Sequence, residues 1–545
     1  RLSDDPAAAS RAIGLHRGID HATQIGRNAA SSLNFYQSTD SSLSRVDNAL
    51  IEARAVAIES AQNVVSEDER AAFATTIDET INTVFASGNA MYRDHQLLGG
   101  FLNSQDAFSR IDDKILYSGA EAIARTDLGA GETSALNLNA NQALGALSVF
   151  YEGDQLQAGV NADTRLVDMR YGDGITPGLL RVSGGGDWYD LDLTAATTMG
   201  DVVTLISGTD VDGRTLAASL TTDGIRVEYA DGLGGTLALA DAPGSEMADQ
   251  LTILNPAGMN PPPLIGSGIS PAVTGQTKIS DLDSGAGIDL SDGLQIIQDD
   301  EVFIVDLSAA ENVSDVLIAI NRSGADIRAE LKGDEGRIQL RSMKSGSDYA
   351  VGENGGDAAT LLGIRTATEQ TLLSDLGSGQ GIALNPNSAE ISIVRPDGVQ
   401  LDLNLEGSTT VGDVINLIRD HPLNQDTARV LVGLNEFGNG IQLTAPPDAD
   451  PLTIRRVGSS NAGLRLGWIG EDGADNVGSV IGPVDTIIGS DFNTRDAGGT
   501  LDTLLRLRKA VTTGDIPEIT RLQATLDLDL DRASRARGRA GVWSR

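Results

Sequence analysis

The sequence predicts an α+β protein: an elongated antiparallel helical bundle formed by both chain ends, with a β-rich region inserted between them. Apolar residues recur at helical spacing near both termini, whereas the middle has short alternating runs rich in Gly, Asp, Thr and Val. The middle also repeats three times. We therefore expect a helical domain of residues 1–150 with 492–545, followed by repeat domains at 151–270, 271–368 and 369–491.

The first residues of the chain have the pattern of a helix start. The side chains of Asp4 and Asp5 can accept hydrogen bonds from the free N–H groups of a first helical turn. Pro6 suits the first helical position, where its missing N–H costs nothing. From Pro6 to about Leu98 the chain has few glycines and no second proline, which favours long helices.

Apolar residues in this N-terminal region form a seam at alternating spacings of four and three, which is typical of bundles and coiled coils. A polar stretch at residues 38–40 predicts a break between two helices. Ser66 and Glu69 have the spacing of a capping box, which predicts the start of the next helix. The seam residues expected to make bundle or assembly contacts are Leu15, Ile19, Leu33, Leu43, Val46 and Leu50.

The C-terminal region has the same helical character. Gly514 and Asp515 predict a break between two helices, and Pro517 falls early in the second one. Two helical regions that each need an apolar partner most simply pack on one another. The seam residues expected on this side are Leu501, Leu504, Ile519, Leu522, Leu526 and Leu530.

Two motifs repeat in register through the middle of the chain. The first, "TTMGDVVTLI", "ENVSDVLIAI" and "TTVGDVINLI" at 197–206, 311–320 and 409–418, predicts a short helix capped at its start. The second, at 166–175, 279–288 and 373–382, contains Asp168, Asp281 and Asp375, which are 113 and 94 residues apart. The corresponding offsets in the first motif are 114 and 98. This agreement predicts three copies of a strand–helix–strand–strand unit.

The composition excludes several classes of function. The chain has 40 Lys and Arg against 77 Asp and Glu, a formal charge of −37, which argues against binding to nucleic acids or anionic membranes. The absence of cysteine rules out disulfides and thiolate metal sites. No apolar run approaches the roughly 20 residues that a membrane span needs.

The chain offers little support for catalysis or metal binding. It has four histidines and no zinc-protease motif; His16 and His21 are five apart and do not share one helix face. Glycine clusters such as "SGGGDWYD" lack the spacing of nucleotide-binding loops and predict turns. We predict no catalytic, metal-binding or cofactor-binding residues and no cofactor.

Two acidic stretches are better explained by structure than by ligand binding. "TDVDGRT" at 209–215 resembles part of a calcium loop, but the full ligand set is missing, so a hairpin turn is favoured. "LDLDLDR" places Asp527, Asp529 and Asp531 two residues apart, so that on a helix they wrap around the axis. A solvated run of charges is the expectation there.

Several motifs resemble the flagellin superfamily, and in particular its hook-associated members. These are "LSDDPAAASRAI" at the start, "LLGGFLNSQDAF" at 97–108, "VFYEGD" at 149–154, and "GGTLDTLLRLRKAVTTGDIPEI" with "LDRASRARGRAGVWSR" near the end. The resemblance covers about 150–200 residues at the two ends. The three internal units are similar to the "IN" motif found in flagellins, hook-associated proteins and the filament cap.

This resemblance implies a structural role in the bacterial flagellum, as an adaptor between hook and filament. It implies export by the flagellar type III system and assembly outside the cell. The implied partners are hook-associated protein 1, flagellin, neighbouring copies of the chain and an export chaperone. It also implies a core fragment, because family members carry a further helical segment at each terminus that builds the inner tube.

Two other functions stay open at this point. A flagellin would build the filament itself and would differ in copy number rather than in chemistry. A surface module that binds a glycan, a host molecule or mineral ions draws slight support from the aromatic residues Trp188, Tyr189 and Trp468.

Overall fold

The computed structural model describes residues 6–62, 65–101, 106–129, 132–147, 150–299, 301–333, 335–384, 387–470 and 472–543. The chain divides into two compact units. The helical unit contains Arg1–Val149, Arg341–Tyr349 and Arg495–Arg545, and the sheet unit contains Phe150–Leu340 and Ala350–Thr494. The protein thus mixes helices with antiparallel sheets, as the sequence predicts.

In chain order, the helices are α1 (Pro6–Ser60), α2 (Glu67–Gly88), α3 (Ala140–Leu144), α4 (Met199–Ile206), α5 (Met247–Gln250), α6 (Val313–Asn321), α7 (Ala358–Leu361), α8 (Leu376–Gly379), α9 (Val411–Arg419), α10 (Ala462–Arg465), α11 (Thr500–Thr513) and α12 (Ile516–Trp543). Short 3-10 turns lie at Leu166–Asp168, Arg170–Gly172, Ile279–Asp281, Asp283–Gly285 and Pro422–Asn424.

The strands are β1 (Met91–Tyr92), β2 (His95–Gln96), β3 (Phe108–Ile111), β4 (Lys114–Tyr117), β5 (Arg125–Gly129), β6 (Glu132–Ala135), β7 (Tyr151–Gln155), β8 (Leu179–Ser183), β9 (Tyr189–Asp192), β10 (Asp210–Val211), β11 (Arg214–Thr221), β12 (Gly224–Tyr229), β13 (Ala238–Asp241), β14 (Leu264–Gly266), β15 (Leu294–Gln298), β16 (Glu301–Val305), β17 (Ile327–Lys332), β18 (Arg337–Ser342), β19 (Lys344–Ser345), β20 (Asp348–Asn354), β21 (Ile391–Val394), β22 (Gln400–Leu403), β23 (Leu431–Leu434), β24 (Phe437–Gly438), β25 (Ile441–Ala445), β26 (Thr453–Arg456), β27 (Asn476–Val477), β28 (Ser479–Ile481), β29 (Val484–Ile488) and β30 (Arg495–Asp496).

In the helical unit, four helices pack around one apolar core. α1 lies against α12 and α2, and α11 lies against α2 and α12. Asp40 of α1 contacts Arg537, whereas the carbonyl of Ala57 accepts a hydrogen bond from Gln523, so α1 and α12 run antiparallel. The small sheets β19-β4-β3, β1-β2 and β5-β6 complete this unit.

α1 continues without interruption through residues 38–40, so the expected break there is wrong. The hydroxyl of Ser38 donates to the carbonyl of Asn34 (2.9 Å), and that of Thr39 donates to the carbonyl of Phe35 (3.0 Å). These bonds satisfy both hydroxyls within the helix, so the polar stretch does not end it. α1 is consequently 55 residues long.

The other predicted helix boundaries of this unit are present. Ser66 caps α2 through the predicted box, because its hydroxyl accepts from the N–H of Glu69 and the Glu69 carboxylate accepts from the N–H of Ser66. Gly514 ends α11 in the left-handed conformation (φ 74°), which favours glycine. α12 then begins at Ile516, with Pro517 as its second residue.

The sheet unit contains one order of elements three times. We name residues 166–253 repeat 1, residues 279–340 with 350–364 repeat 2, and residues 373–469 repeat 3. In each repeat a hairpin precedes a short helix and two further strands follow it: β8–β9, α4 and β11–β12; β15–β16, α6 and β17–β18; β21–β22, α9, β23 and β25.

Each repeat helix begins at a capping box. The N-cap side chain accepts from the backbone of an aspartate three residues later, and that aspartate accepts from the N-cap backbone. The pairs are Thr198–Asp201, Asn312–Asp315 and Thr410–Asp413.

Two of these aspartates have strongly shifted acidities. Hydrogen bonds from the backbone and hydroxyl of Thr197 and from the backbone of Thr198 lower the pKa of Asp201 to about 2 from its ordinary 3.8. The corresponding bonds from Thr409 and Thr410 lower the pKa of Asp413 to about 2. Since these bonds favour the charged carboxylates, they stabilise the folded state only while both groups are ionised.

We predict that α4 and α9 lose stability in acid. The contribution of Asp201 and Asp413 is present above pH 3.8 and disappears as the pH falls through about 2. The Asp413→Asn variant should have a lower urea midpoint than wild type at neutral pH and a smaller difference from it near pH 2. Hydrogen exchange of α9 in urea measures both values.

The matched control is Asp420→Asn, which changes an exposed carboxylate at the other end of α9. This variant should keep the acid dependence of wild type. An equal acid dependence in Asp413→Asn and wild type would contradict the role given to the capping box.

Candidate assembly surface

The structure divides the predicted seam into a buried part and an exposed part. One member of the seam, Leu530, is partly buried against the apolar core of the helical unit. The exposed members are Leu15 (69% exposed), Ile19 (59%) and Leu33 (40%). The buried members are Leu43, Val46, Leu50, Leu501, Leu504, Ile519, Leu522 and Leu526. Of the predicted helix-start residues, Pro6 is the first residue of α1, and Asp4 and Asp5 lie outside the described residues.

The first part of α1 has no apolar cover within the described residues. Every side chain from 11 to 24 is exposed, and burial begins at Ser32. The seam nevertheless continues with the same spacing through Leu15, Ile19, Ala22, Gly26, Ala29 and Leu33. An exposed stretch of about twenty helical residues measures roughly 30 Å along the helix axis.

Burial of the seam begins where α12 reaches α1. The ring of Tyr36 lies 5.7 Å from that of Trp543, and the Tyr36 hydroxyl donates to the carbonyl of Ala135 (2.5 Å). Beyond this point α12 covers the seam. The exposed and buried parts of α1 therefore have the same apolar spacing, and they differ only in whether α12 packs against them.

The exposed part of α1 also differs in charge from the rest of the chain. Residues 11–31 contain Arg11, Arg17 and Arg27 but only one acidic residue, Asp20, which leaves a formal charge of +2. The whole chain carries −37. A basic apolar helix in an acidic protein favours contact with acidic surfaces over repulsion from them.

A second exposed apolar patch lies farther along the same pair of helices. Ile51 and Ile58 of α1 line an open groove of about 470 Å³ with Leu530 of α12. The ion pair between Arg54 and Asp527 (2.6 Å) also lines it. The groove thus combines apolar side chains with charged ones.

Ion pairs fix the position of α12 on α1. The guanidinium of Arg537 pairs with Asp40 (3.1 Å) and Asp47 (2.7 Å), which lie two turns apart on α1. Asp47 is buried, so this contact is less screened than a surface pair.

A charge cluster that was not predicted from the sequence surrounds the buried carboxylate of Asp502 in α11. Asp502 accepts from the backbone N–H groups of Gly346 (2.7 Å) and Gly498 (2.9 Å) and pairs with Arg506 (2.8 Å). Arg506 also pairs with Asp348 and with Asp496 (3.6 Å). Because these residues come from three separate stretches of the chain, no local sequence pattern marks them.

The surroundings of Asp502 disfavour its charged form, whereas those of Arg506 favour its charged form. Burial raises the pKa of the Asp502 carboxyl, although Arg506 acts against the shift. Burial also disfavours the charge of Arg506, but the surrounding carboxylates outweigh it and keep the pKa of this guanidinium above its ordinary range. Removing one partner would leave a buried charge uncompensated.

The prediction of a solvated acidic run in α12 is wrong for Asp529. This residue is buried, and the hydroxyl of Thr503 donates to its carboxylate (2.7 Å). Burial raises the pKa of Asp529, and its ion pair with Arg532 opposes that shift. A spacing of two directs one of the three aspartates towards α11, where it accepts from Thr503, while Arg532 of α12 itself pairs with it.

The acidic stretch at 209–215 forms the predicted hairpin turn between β10 and β11. Asp210 accepts from the N–H of Gly213 (2.9 Å), and Asp212 accepts from the N–H groups of Gly184 and Gly186 (both 3.1 Å). Both carboxylates thus have structural partners. Among the described residues, no three His, Asp or Glu side chains form a cluster suited to a metal ion.

The aromatic residues considered for surface binding lie in different environments. Trp468 is buried and donates its indole N–H to the carbonyl of Ile441 (3.1 Å), so it is a core residue. Trp188 and Tyr189 are each 39% exposed, and the Tyr189 hydroxyl donates to Asp212 (3.0 Å). Because Trp468 is buried, it gives no support to the alternative of a surface-binding module.

No helix in the described part of the chain combines the length and apolarity needed to cross a membrane.

No protein-family model matches this chain, and no curated protein matches it significantly. Several solved structures are similar to it. The flagellar hook associated protein-3 (HAP-3) of Legionella pneumophila has 9% identity and a TM-score of 0.32 over 98% of this chain and 91% of that chain. FlgL of Xanthomonas campestris has 16% identity and a TM-score of 0.24 over 47% of this chain and 73% of that chain.

A structure assigned as a flagellar hook-associated protein of Vibrio parahaemolyticus has 22% identity and a TM-score of 0.25 over 26% of this chain. The match spans 64% of the Vibrio chain. These similar structures are hook-associated and junction proteins of the bacterial flagellum, the class that the sequence resembles.

We predict that the cluster around Asp502 is essential to the stability of the helical unit. Asp502→Ala removes the acceptor of two partly buried N–H groups and leaves part of the Arg506 charge unpaired, and should lower the free energy of unfolding by about 3–5 kcal/mol. Urea unfolding followed by far-ultraviolet circular dichroism measures the loss.

The matched control is Asp527→Ala, which removes an exposed ion-pair partner from the neighbouring helix α12. Its cost should stay below about 1 kcal/mol. Equal effects of the two substitutions would show that the cluster contributes no more than a surface pair.

Proposed function

We propose that this chain is a structural component of the bacterial flagellum that joins hook and filament, as flagellar hook-associated protein 3 does. The observation that carries the proposal is the exposed, basic seam of α1, which continues the buried seam of the helical unit. A seam of this length is suited to contacts with other subunits. The motifs at both chain ends that resemble hook-associated proteins support the same role.

The arrangement of the chain fits an adaptor. Both chain ends contribute to one helical unit, and most of the intervening chain forms the sheet unit. In the proposed assembly the helical unit is an elongated bundle that contacts neighbouring subunits, and three IN-like repeats, at about 151–270, 271–368 and 369–491, project outward. Such work requires exposed apolar seams and no turnover.

The proposed contacts use the seam residues in two ways. Those buried between α1, α11 and α12 stabilise the subunit, and Leu15, Ile19 and Leu33 contact other subunits. The proposed partners are neighbouring copies in a ring, hook-associated protein 1 on one side and flagellin on the other, with an export chaperone before assembly.

The proposed location is outside the cell, on the flagellum, after export by the type III system. The composition is compatible with this route. A chain without cysteine can fold outside the cell with no disulfide to form. The large negative charge favours solubility before assembly.

Localisation tests the proposal and separates it from the flagellin alternative. In the source bacterium, an epitope tag inserted in the exposed turn at Gly482 should label one band between hook and filament in immunogold microscopy. Label along the whole filament would identify a flagellin instead. Absence of label from flagella would contradict both functions.

We also predict that the exposed part of the seam acts in assembly and not in folding. The Leu15→Ser, Ile19→Ser double variant should keep the urea midpoint of wild type, because both side chains are already exposed. In a strain that lacks the natural gene it should fail to restore filaments. Swimming and filament counts measure this loss.

The control is Thr23→Ala, Gln24→Ala, which changes two exposed residues of the same helix segment outside the seam. This variant should restore filaments. Full filament assembly by the seam variant would contradict the proposed contact.

A further inference from the structure

The strand that closes one sheet of repeat 1 lies in front of repeat 2. β14, at Leu264–Gly266, pairs with β12, so that the sheet has the order β10-β11-β12-β14. The first residue of repeat 2 comes thirteen residues after β14. Repeat 1 is therefore completed by the linker that leads into its neighbour.

The strand that closes the corresponding sheet of repeat 2 lies in front of repeat 1. β7, at Tyr151–Gln155, pairs with β18 and gives the order β17-β18-β7. All of repeat 1 lies between β7 and repeat 2 in the sequence. Each of these two repeats is consequently completed by the strand that precedes the other.

The pairing of β12 with β14 has the same register as the pairing of β18 with β7. Arg226 pairs with Ile265, and Val227 pairs with Leu264. Adding 113 to the first member and subtracting 113 from the second gives Gln339 with Glu152 and Leu340 with Tyr151, and both pairs are present. The offset is the one that separates Asp168 from Asp281.

Backbone hydrogen bonds also join the segment ahead of each of these repeats to the other repeat. The N–H of Ala272, ahead of repeat 2, donates to the carbonyl of Asp168 in repeat 1 (2.7 Å). The N–H of Gly159, ahead of repeat 1, donates to the carbonyl of Asp281 in repeat 2 (2.7 Å). A second such pair joins Tyr171 to Ser270 (2.9 Å) and Ser284 to Gln157 (3.1 Å).

The backbones approach very closely at this crossing. A Cβ atom on Gly159 would lie 2.5 Å from the backbone N of Gly285. A cleft of about 380 Å³ lies here, lined by seven residues from each side, every one 113 positions from its counterpart, such as Thr164 and Thr277. Repeats 1 and 2 thus meet around a local two-fold relation.

Repeat 3 is closed by a strand that follows it in the sequence. Its sheet has the order β23-β25-β29-β28, and β29 follows repeat 3 in the sequence. Repeat 3 does touch repeat 2, since β24 pairs with β20. Neither of its sheets, however, takes a strand from in front of repeat 1 or repeat 2.

We propose that repeats 1 and 2 fold and unfold as one cooperative unit, in which folded repeat 1 holds β7 in place for repeat 2. When repeat 1 is folded, it forms a compact domain that connects β7 to repeat 2. With repeat 1 unfolded, pairing of β7 with β18 closes a loop of well over a hundred flexible residues, and the entropy cost of that closure weakens the pair. Repeat 3 has no such dependence.

The helices of the repeats provide a matched set of variants. Ile206, Ile320 and Ile418 are the last apolar residues of the same motif in α4, α6 and α9, and all are buried. Truncation of a buried isoleucine to alanine removes core contacts without changing the strands or the crossing. The test is hydrogen exchange of the full chain, followed by mass spectrometry of its peptides.

In Ile206→Ala, exchange in β11–β12 of repeat 1 and in β17–β18 of repeat 2 should speed up together, by at least about tenfold. In the control Ile418→Ala, exchange should speed up in β23 and β25 and stay unchanged in β11–β12. Faster exchange in repeat 1 alone, or in all three repeats equally, after Ile206→Ala would overturn the proposal.

Wild-type protein gives an independent test if Ile206→Ala does not fold. In increasing urea, the most protected amides of β12 and β18 should follow one common dependence, and those of β25 a different one. Separate dependences for β12 and β18 would overturn the proposal. The outcome is independent of the proposed place of the protein in the flagellum.

Discussion

The antiparallel contact between α1 and α12 is the constraint on which the rest of the structure depends. It brings the two ends of a 545-residue chain into one apolar core, so that everything between them is inserted between fixed ends. The buried leucines and alanines of the seam supply the main stabilisation, since each large apolar side chain removed from water contributes about 1.5–3 kcal/mol. The pairs of Arg537 with Asp40 and Asp47 then select one register among those that the apolar seam alone permits.

The buried charge cluster acts on the segments that join the core from elsewhere in the sequence. Asp502 holds the backbone at Gly346 and Gly498, and Arg506 holds Asp348 and Asp496. Burying these charges costs free energy, and their mutual attraction offsets much of it only in this one geometry. This dependence on geometry favours one arrangement of the segments that meet at Asp502 and Arg506.

Local patterns in the sequence were sufficient for some features and not for others. The capping boxes at Ser66, Thr198 and Thr410 follow from short-range hydrogen bonding, so residue types a few positions apart predict them. The pairing of β7 with β18, the burial of Asp529 and the Asp502 cluster depend on residues far apart in the chain. The break expected at residues 38–40 failed because Ser38 and Thr39 bond to their own helix, which a list of polar residues does not indicate.

The continuity of the α1 seam links stability to the proposed role. The spacing that buries Leu43 and Leu50 extends back to Leu15, yet every side chain from 11 to 24 is exposed. A helix selected only for solubility would replace exposed leucine and isoleucine at those positions with polar residues, because nothing in the subunit is gained from them. In the proposed assembly, a partner that supplies both apolar and acidic groups accounts for these residues and for the positive charge of this segment in an otherwise acidic chain. The seam would then make contacts within the subunit along its second half and contacts between subunits along its first half.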